Sequence, residues 1–560
     1  MNTQKKRRSG LRIMLELLRL LGDLKYIIIL AVCGGYLGNA CAVSVMTFGA
    51  CCVAKVIDPA FGSLPLGGYV ALTIVAGVLR GLLRFLEQYN NHYIAFKLLA
   101  ALRDRIFGAL RVLAPARLEG KQKGAIIAML TADVETLEVF YAHTISPVMI
   151  AILVDGTVAV LVSCIGSVWL GLIALAAYLL IGIVIPFVSS SLLKQEGVAY
   201  RQQFSDSSAY FLDSVRGIRD IVLNGQQQQR SDALDRQSAF MNGRTVSIKR
   251  KSAAVSAVSS LTVSVTILLS ALVGITLTAA GAVTVPDLVV ALVMLFSSFG
   301  PVLSLSALPT NLTQTFAAGD RILDFMQETP VVRENPDGAE FTFDTLTVED
   351  LSFSYEQVPV LQNVSITVKK GSIVGLVGPS GCGKSTLLKL LLRFYDPDAG
   401  AVRYNGIDLR EIATPALHRN VTMVSQDTWL FNDTILNNLL FVKPEASMEE
   451  VREACRKASI DAFISSLPRG YDTEAGLLGD SLSTGERQRI GLARAFLSGA
   501  SLILLDEVTS NVDAINEGII LRSLKEAAGE ETIILVSHRE STVSICDEIY
   551  HVTGGRLRHG

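Results

Sequence analysis

Residues 378–386 read GPSGCGKST and lie between the apolar run SIVGLV and the helix-like segment TLLKLLLRF. They match the pattern G-x-x-x-x-G-K-[ST] in the strand–loop–helix context that this pattern requires. Glycines allow backbone N–H groups to surround a phosphate, and the N-terminus of the next helix adds the positive end of its dipole. The stretch therefore predicts an α/β domain whose loop binds a nucleotide through Gly378, Ser380, Gly381, Cys382, Gly383, Lys384, Ser385 and Thr386.

Two later apolar runs end in polar side chains suited to nucleotide chemistry. SLILLDEVTS, residues 501–510, predicts a buried strand that ends in Asp506 and Glu507, and TIILVSH predicts another that ends in His538. We expect Lys384 to reach the β- and γ-phosphates, and Ser385 and Asp506 to hold the Mg²⁺ shell. Glu507 is the candidate base that polarises a water for attack on the γ-phosphate.

The chain that precedes this domain has a different composition. Of the 560 residues 50% are hydrophobic, and long apolar runs dominate before residue 320. A segment needs about 20 residues to cross the hydrocarbon core, and six such segments occur, at 25–56, 67–96, 133–163, 166–193, 252–280 and 284–316. The predicted fold class is multidomain: an all-α membrane domain with six transmembrane helices, followed by an α/β P-loop ATPase domain.

Composition also excludes several classes of protein. The net charge is −2 and no basic cluster is interleaved with aromatic residues, so nucleic acid is not an expected partner. The eight cysteines form no C-x-x-C pair, which argues against a zinc site or a disulfide framework.

Charge asymmetry predicts the orientation of the membrane domain. Lysine and arginine are concentrated in two loops, at 97–123 and 194–251, and are nearly missing from the opposite loops. The positive-inside rule then predicts a multi-pass protein of the cytoplasmic (inner or plasma) membrane with both termini in the cytoplasm. Both basic loops keep helical periodicity, so we expect the helices to extend into the cytosol and to end in turns at Pro115–Gly124 and Ser207–Val215.

Four segments follow from these patterns. Residues 1–24 contain LRIMLELLRLLGDLK, whose charged residues share one face, and are predicted to form an amphipathic helix at the membrane interface. Residues 25–325 form the membrane domain with its two cytoplasmic coupling loops. Residues 326–340 have the Pro, Gly and charge content of a linker, and residues 341–560 form the nucleotide-binding domain.

Between the phosphate loop and the LLDE strand lies LSTGERQRIGLARAFL, residues 482–497. With this segment the C-terminal half resembles the nucleotide-binding domain of an ATP-binding cassette (ABC) transporter, whose signature Leu-Ser-Gly-Gly-Gln contacts the ATP of the opposite subunit. The resemblance implies ATP and Mg²⁺ as cofactors and assigns a role to each motif residue. Tyr355 stacks on adenine, Gln426 senses magnesium and water, Ser483 and Gly485 form the signature contact, Asp513 links the two sites, and His538 contacts the γ-phosphate.

The order of the domains resembles an exporter-type half-transporter. One chain supplies one phosphate loop and one signature, so a second half-transporter subunit is expected to complete each ATP site. The signature departs from the family pattern at Thr484 and Glu486, whereas the phosphate loop, Glu507 and His538 match it. Unequal sites favour a heterodimer over a homodimer.

The second apolar segment, GVLRGLLRFLEQYNNHYIAF at 77–96, carries ionisable residues at helical spacing. Arg80, Arg84, Gln88 and His92 recur every fourth residue and form a polar stripe along one face of the predicted helix. Two interpretations stay open. In one, the stripe is structural and Arg84 pairs with Glu87 or Gln88. In the other, Arg80, Arg84 and His92 bind an anionic substrate, with His92 as a candidate ligand of a metal or of haem iron.

A narrower resemblance bears on the second interpretation. RFLEQYNNH, LLAALRDRIFGALRVLAPARL and TADVETLEVFY are similar to the C-type subunit of the heterodimeric transporters needed to assemble cytochrome bd. That subfamily is associated with thiol export and haem binding. Arg84, Glu87 and His92 match its pattern, whereas Gln88 stands where an arginine is usual.

The sequence therefore predicts an ATP-hydrolysing transporter subunit that moves a small polar or redox-active solute, such as cysteine, glutathione or a haem-related molecule. The alternatives are an exporter-shaped importer of siderophore or haem, and an exporter of drugs, lipids or peptides. From another class, the chain is a membrane-bound ATPase regulator without a transported substrate.

Overall fold

The computed structural model describes residues 8–20, 22–119, 123–305, 308–476, 479, 481–509, 514–529 and 531–560. The chain divides into two compact units: Met1–Val112 with Lys121–Glu328, and Leu113–Gly120 with Thr329–Gly560. The main division falls between residues 328 and 329, inside the stretch 326–340 that the sequence predicts as a linker. The short segment 113–120 groups with the C-terminal unit.

The N-terminal unit is helical throughout the residues that the structure describes. Its α-helices are α1 (Gly10–Arg19), α2 (Lys25–Ile57), α3 (Leu66–Leu113), α4 (Lys123–Ala128), α5 (Val134–Phe140), α6 (Ser146–Ile165), α7 (Val168–Leu179), α8 (Ile185–Arg216), α9 (Ile218–Leu223), α10 (Gln227–Ala279), α11 (Val285–Ser298), α12 (Gly300–Leu305) and α13 (Leu308–Met326). Three π-helical turns, Met129–Asp133, Tyr141–Ile145 and Leu180–Val184, join consecutive helices.

Six helical stretches are long and apolar enough to cross a membrane, which confirms the six-span prediction. They are Lys25–Ile57, Leu66–Leu113, Gly124–Ile165, Val168–Ser189, Gln227–Ala279 and Val285–Leu305. Helices α3 and α10 have 48 and 53 residues, and at 1.5 Å per residue each is more than twice as long as the ~30 Å hydrocarbon core. Both therefore extend well beyond a bilayer.

The second predicted turn is wrong. Ser207–Val215 lies inside α8, which continues to Arg216, and the chain turns instead through Gly217 and the short helix α9. The serines of this stretch do not interrupt the helix because the apolar periodicity of AYFLDSV continues through them. The first predicted turn falls between α3 and α4, where Pro115 cannot continue a helix.

Helix α1 packs on protein. Ile13 and Leu17 are 3% and 0% exposed, and the Tyr141 hydroxyl donates to the Leu17 carbonyl at 2.9 Å. Just before α1, Arg8 pairs with Asp320 of α13 at 2.8 Å. The apolar face of α1 is therefore covered by its own unit, and a position at the membrane interface stays a prediction.

The C-terminal unit contains two sheets. Its strands are β1 (Thr345–Tyr355), β2 (Val358–Lys369), β3 (Ile373–Val377), β4 (Ala399–Tyr404), β5 (Ile407–Asp408), β6 (Val421–Val424), β7 (Leu502–Asp506), β8 (Thr532–Ser537), β9 (Glu548–Thr553) and β10 (Arg556–His559). The smaller sheet is antiparallel with order β2-β1-β4-β5, and the larger has order β10-β9-β3-β8-β7-β6 with parallel pairing from β9 to β6.

Eight helices accompany these sheets among the described residues. They are α14 (Lys384–Leu391), α15 (Thr414–Asn420), α16 (Ile435–Leu440), α17 (Met448–Lys457), α18 (Asp461–Ser466), α19 (Thr484–Ser498), α20 (Ala514–Ala527) and α21 (Glu540–Val543). Residues of β3, β7 and β8 are buried on both faces of the sheet, between two apolar clusters. Burial on both faces explains why these strands are continuous apolar runs and not alternating ones.

Candidate functional site

The parallel strands bring three predicted motifs to one edge of the larger sheet. Val377, the last residue of β3, pairs with Ser537 of β8, and Asp506 of β7 pairs with Val536. The phosphate loop, the Asp506–Glu507 pair and His538 each follow one of these strand ends directly. Ligands of α/β proteins bind at this carboxyl edge of the sheet.

The backbone of the phosphate loop requires its glycines. Gly383 has φ +107° immediately before α14, a conformation that an L side chain rarely adopts. A Cβ atom at Gly378 would collide with the carbonyl oxygen of Val552. The loop therefore keeps its N–H groups available at the N-terminus of α14, as phosphate binding requires.

The polar groups around this loop fit ATP with Mg²⁺. Lys384 is 5% exposed, and its ammonium donates to the carbonyls of Gly378 and Pro379 at 2.8 and 3.0 Å. The Ser385 hydroxyl donates to Asp506 Oδ1 at 2.9 Å, and burial raises the pKa of Asp506. A hydroxyl beside a carboxylate is the oxygen set that Mg²⁺ uses in P-loop proteins, where the ion neutralises phosphate charge.

Glu507 lies between the loop and the predicted switch histidine. Its Oε1 atom is 4.0 Å from Lys384 Nζ and 3.7 Å from His538 Nδ1. Its backbone has φ +51°, a left-handed conformation that costs a non-glycine residue on the order of 1–3 kcal/mol and is concentrated at functional sites. A carboxylate held here is placed to accept a proton from water, and its role as the base stays a prediction.

The remaining predicted residues of the ATP site are placed less closely. Tyr355 packs edge-on against Phe353 and Tyr395, with ring centroids 4.9 and 5.3 Å apart. Gln426 is exposed in the loop after β6, and Thr386 is buried in α14. Asp513 lies outside the described residues.

The signature segment forms the N-terminus of α19. Ser483 is the N-cap: its hydroxyl accepts the Glu486 N–H, and the Glu486 carboxylate accepts the Ser483 N–H at 2.8 Å. Thr484 Oγ1 accepts from Arg487 Nη2 at 3.2 Å, and Gly485 is buried. Both residues that depart from the family pattern therefore have local partners, and Glu486 belongs to a capping box, S/T-x-x-E, that is readable in the sequence as Ser-Thr-Gly-Glu.

Segment 113–119 contacts the ATPase fold within the C-terminal unit. Glu119 pairs with Lys389 of α14 at 2.7 Å and accepts a hydrogen bond from the Tyr395 hydroxyl at 2.9 Å. Tyr395 also donates to the Ala116 carbonyl at 3.2 Å. Sequence reasoning missed these three contacts because the partners lie about 270 residues apart and carry no motif.

The polar stripe of α3 is divided by the structure. Arg80 and Arg84 are exposed on the protomer, whereas Glu87 is 3% exposed and pairs with Arg84 at 2.7 Å. Glu87 lies beside Gly35 of α2, where an added Cβ would be 2.9 Å from its carboxyl carbon. The predicted structural pairing of Arg84 is therefore present, and Arg80 and the exposed part of Arg84 leave positive charge on this face.

His92 contacts two residues that the sequence analysis did not single out. Its Nδ1 atom is 3.4 Å from Glu138 Oε1, and its ring meets His143 edge-on with centroids 5.5 Å apart. Nδ1 is buried and makes no hydrogen bond within the described residues. In the described part of the chain, no three His, Cys, Asp or Glu side chains are grouped closely enough to hold a metal ion.

A unit with six membrane-length helices, joined to a P-loop ATPase unit with a signature helix, defines an ATP-driven transporter of exporter type. A family model described as "ABC transporter" matches residues 361–510, and a model described as "ABC transporter transmembrane region" matches residues 28–302. The chain belongs to the ABC transporter family. It is a multi-pass, ATP-hydrolysing half-transporter; such proteins dimerise, and their membrane domain lies in a lipid bilayer.

Relatives and a solved structure cover nearly the whole chain. A Haemophilus influenzae protein described as "Probable ABC transporter ATP-binding/permease protein" is 42% identical over 98% of this chain and 100% of its own length. The "ATP-dependent lipid A-core flippase" of Chromobacterium violaceum is 30% identical over 93% of this chain and 92% of its own. A bacterial Atm1-family ABC exporter with ATP bound superposes with a TM-score of 0.81 at 23% identity, covering 97% of this chain and 95% of that one. This last similarity shows the fold.

Proposed function

We propose that the chain is one subunit of a heterodimeric transporter that moves a small polar or redox-active solute across the cytoplasmic membrane. The solute class is a thiol that carries a carboxylate, such as cysteine or glutathione, or a haem-related molecule. Both termini lie in the cytoplasm under this proposal, as the basic loops at 97–123 and 194–251 indicate.

The observation that carries this substrate class is the positive face of α3. Arg80 and Arg84 are exposed on a membrane-length helix, where an uncompensated charge costs about 3 kcal/mol or more. Such residues normally face a water-filled pathway or a partner, and guanidinium groups recognise carboxylates through two parallel hydrogen bonds. The pairing of Arg84 with Glu87 leaves Arg80 as the arginine with the more available charge.

ATP drives the transport in this proposal. Lys384 and Ser385 with Asp506 hold the nucleotide and its magnesium, while Glu507 and His538 act on the attacking water and the γ-phosphate. Ser483 and Gly485 of this chain complete the site of the partner subunit. Closure of the two ATPase units then changes which side of the membrane the solute pathway opens to.

Haem is a narrower candidate ligand. The buried Nδ1 atom of His92 lacks a hydrogen-bond partner in the described residues, and a neutral imidazole nitrogen can bind haem iron. We expect His92→Ala to abolish any absorbance band of haem that copurifies, whereas His143→Ala serves as the matched control. An unchanged band in His92→Ala would remove this residue as the ligand.

A second candidate is export of a lipid. Its support is the relative described as a lipid A-core flippase, which is similar over nearly the full chain. Under this alternative, the arginines would meet lipid phosphates. A drug or peptide exporter, an importer of siderophore or haem, and a regulator without a substrate rest on no particular observation of the described residues.

The test is uptake of labelled cysteine, glutathione or lipid into inside-out vesicles that contain the transporter with its copurifying partner. For a carboxylate-bearing thiol, Arg80→Gln should raise the KM about tenfold, because one hydrogen bond to a charged group is worth about 1.5 kcal/mol. Arg111→Gln is the matched control, since Arg111 is exposed on the same helix beyond the predicted span. Movement of lipid and no thiol, or equal KM values in the two variants, would reject the proposed substrate class.

A further inference from the structure

A small cavity in the C-terminal unit separates two elements that serve different nucleotide sites. It has a volume of about 250 Å³ and is lined by residues 426–429 of the loop after β6, and by Thr484, Arg487 and Gln488 of α19. Under the proposed function, Gln426 belongs to the protomer's own ATP site. The N-terminus of α19 instead completes the partner's site.

Gln488 spans this junction. Its side chain is 2% exposed, and its Nε2 group donates to the backbone carbonyl of Gln426 at 3.2 Å. Its Oε1 atom is buried and lacks a hydrogen-bond partner within the described residues. A buried amide that is satisfied at one end only is unfavourable for stability, so the position of Gln488 has a cost that a purely apolar side chain would avoid.

The loop and the helix also pack closely beside this hydrogen bond. A Cβ atom on Gly491 of α19 would lie 2.5 Å from Thr428 Oγ1, so the absence of a side chain at 491 allows the loop to approach the helix. Thr428 Oγ1 is itself buried without a hydrogen-bond partner in the described part of the chain. Among the side chains that line the cavity, Gln488 therefore makes the polar link to Gln426, whereas Thr428 offers an isosteric comparison that makes none.

We propose that Gln488 is a positioning residue that couples the two nucleotide sites of the dimer. Gln488 is five positions from Ser483 on the same helix, so a displacement of the Gln426 carbonyl is transmitted along a rigid element to the signature. Binding of nucleotide at the protomer's own site moves the Gln426 loop, and the Gln488 amide moves the signature that the partner's site requires. This inference rests on the proposed function, because it assumes ATP sites shared between subunits.

Coupling of this kind appears as cooperativity in the dependence of hydrolysis on ATP concentration. A coupling of about fivefold in affinity between two sites corresponds to a Hill coefficient of about 1.4. Replacement of Gln488 by Met keeps the length and volume of the side chain but removes its N–H donor. Gln488→Met should therefore lower the Hill coefficient to about 1 and leave kcat at saturating ATP within twofold of the starting protein.

The experiment measures ATP hydrolysis by the intact dimer in lipid nanodiscs as a function of ATP concentration. Thr428→Val is the matched control, because it removes an unpaired hydroxyl from the same cavity and should leave the Hill coefficient unchanged. Thermal unfolding of all three proteins checks that the variants fold. Loss of cooperativity in Gln488→Met alone, with kcat retained, supports the inference.

Three results would overturn it: a Hill coefficient of 1 in the starting protein, an unchanged coefficient in Gln488→Met, or an equal loss in Thr428→Val. Loss of kcat together with cooperativity would assign Gln488 a structural role and would also reject the proposal. Glu507→Gln separates this failure from failure of the proposed function. If hydrolysis survives in Glu507→Gln, the assignment of the ATP site is at fault; if it is lost while Gln488→Met remains cooperative, the coupling role alone is wrong.

Discussion

Glu507 has a left-handed backbone conformation with φ +51° at the end of a buried strand, and its carboxylate lies between Lys384 and His538. Glu507→Gln keeps the size of the side chain and removes its ability to accept a proton. General-base catalysis contributes about 10²- to 10⁴-fold, so hydrolysis should fall at least about 100-fold while ATP still binds and the closed dimer accumulates. The measurement is turnover together with retained labelled ATP.

The control for this prediction is Glu526→Gln, which removes a carboxylate that is exposed and pairs with Arg522. Its turnover should match that of the starting protein. Normal turnover per intact site in Glu507→Gln would show that another group accepts the proton.

Glu486 places a negative charge in the first turn of the helix that faces the partner's ATP under the proposed function. Its carboxylate accepts the Ser483 N–H, a group of the kind that binds phosphate at a helix N-terminus. Glu486→Gln keeps an acceptor for the capping box and removes the charge. The KM for ATP should therefore fall about two- to fivefold, as expected for loss of an exposed charge interaction of up to ~1 kcal/mol.

The chain offers a matched control for this second prediction. Glu450 forms the same capping box with Ser447 at the start of α17, away from the signature segment. Glu450→Gln should leave the KM for ATP unchanged. A fall of similar size in both variants would trace the effect to helix stability and not to repulsion of ATP.

Among structural elements, segment 113–119 is the one whose contacts the sequence could not predict. Tyr395→Phe keeps the ring packed against Tyr355 and Phe353 but removes the hydroxyl that bonds Glu119 and Ala116. Loss of a hydrogen bond of about 1 kcal/mol should raise the population in which the segment is detached about fivefold. Trypsin should then cleave after Arg117 about fivefold faster when cleavage samples that population.

Tyr471→Phe is the comparison for this measurement, because its hydroxyl bonds Asp461 elsewhere in the same unit. Cleavage after Arg117 should be unaffected there. Equal rates in the two variants would mean that the Tyr395 hydroxyl does not hold the segment.

Element by element, the sequence was most informative where one physical pattern dominates. Six apolar stretches and the buried strands before Gly378, Asp506 and His538 could be predicted, since each is an uninterrupted run with a single explanation. The turn placed at Ser207–Val215 was wrong because serines are compatible with a helix that tertiary packing sustains. The partners of His92, namely Glu138 and His143, depend on how α3 meets a π-helical turn, and no local pattern encodes that.

At the scale of the whole molecule, one phosphate loop and one signature per chain require a second subunit. The chain purified without a partner should hydrolyse ATP at a small fraction of the rate of the dimer, and the rate per chain should fall on dilution. The measurement is specific activity against protein concentration, with the native complex at equal chain concentration as the reference. Full, concentration-independent activity of a monomer would contradict site sharing.

Family membership could be read from the order of motifs, whereas the identity of the partner and the solute could not. The motifs concern phosphates and magnesium, which every member of the class handles alike. The solute contacts side chains of α3 and its neighbours, whose arrangement depends on packing between segments far apart in the chain. The Arg84–Glu87 pair illustrates this limit: both residues were singled out, but only the structure separates the buried carboxylate from the exposed guanidinium.

The unbroken length of α3 has a consequence for tolerated changes in the sequence. The helix carries Arg80, Arg84 and His92 in one part and the buried residues Leu98, Leu102 and Ile106 in another. One residue inserted between His92 and Leu98 would rotate the two parts by about 100° about the axis, whereas seven would restore their alignment to within about 20°. Insertions and deletions in this stretch are therefore expected to survive only in helical multiples.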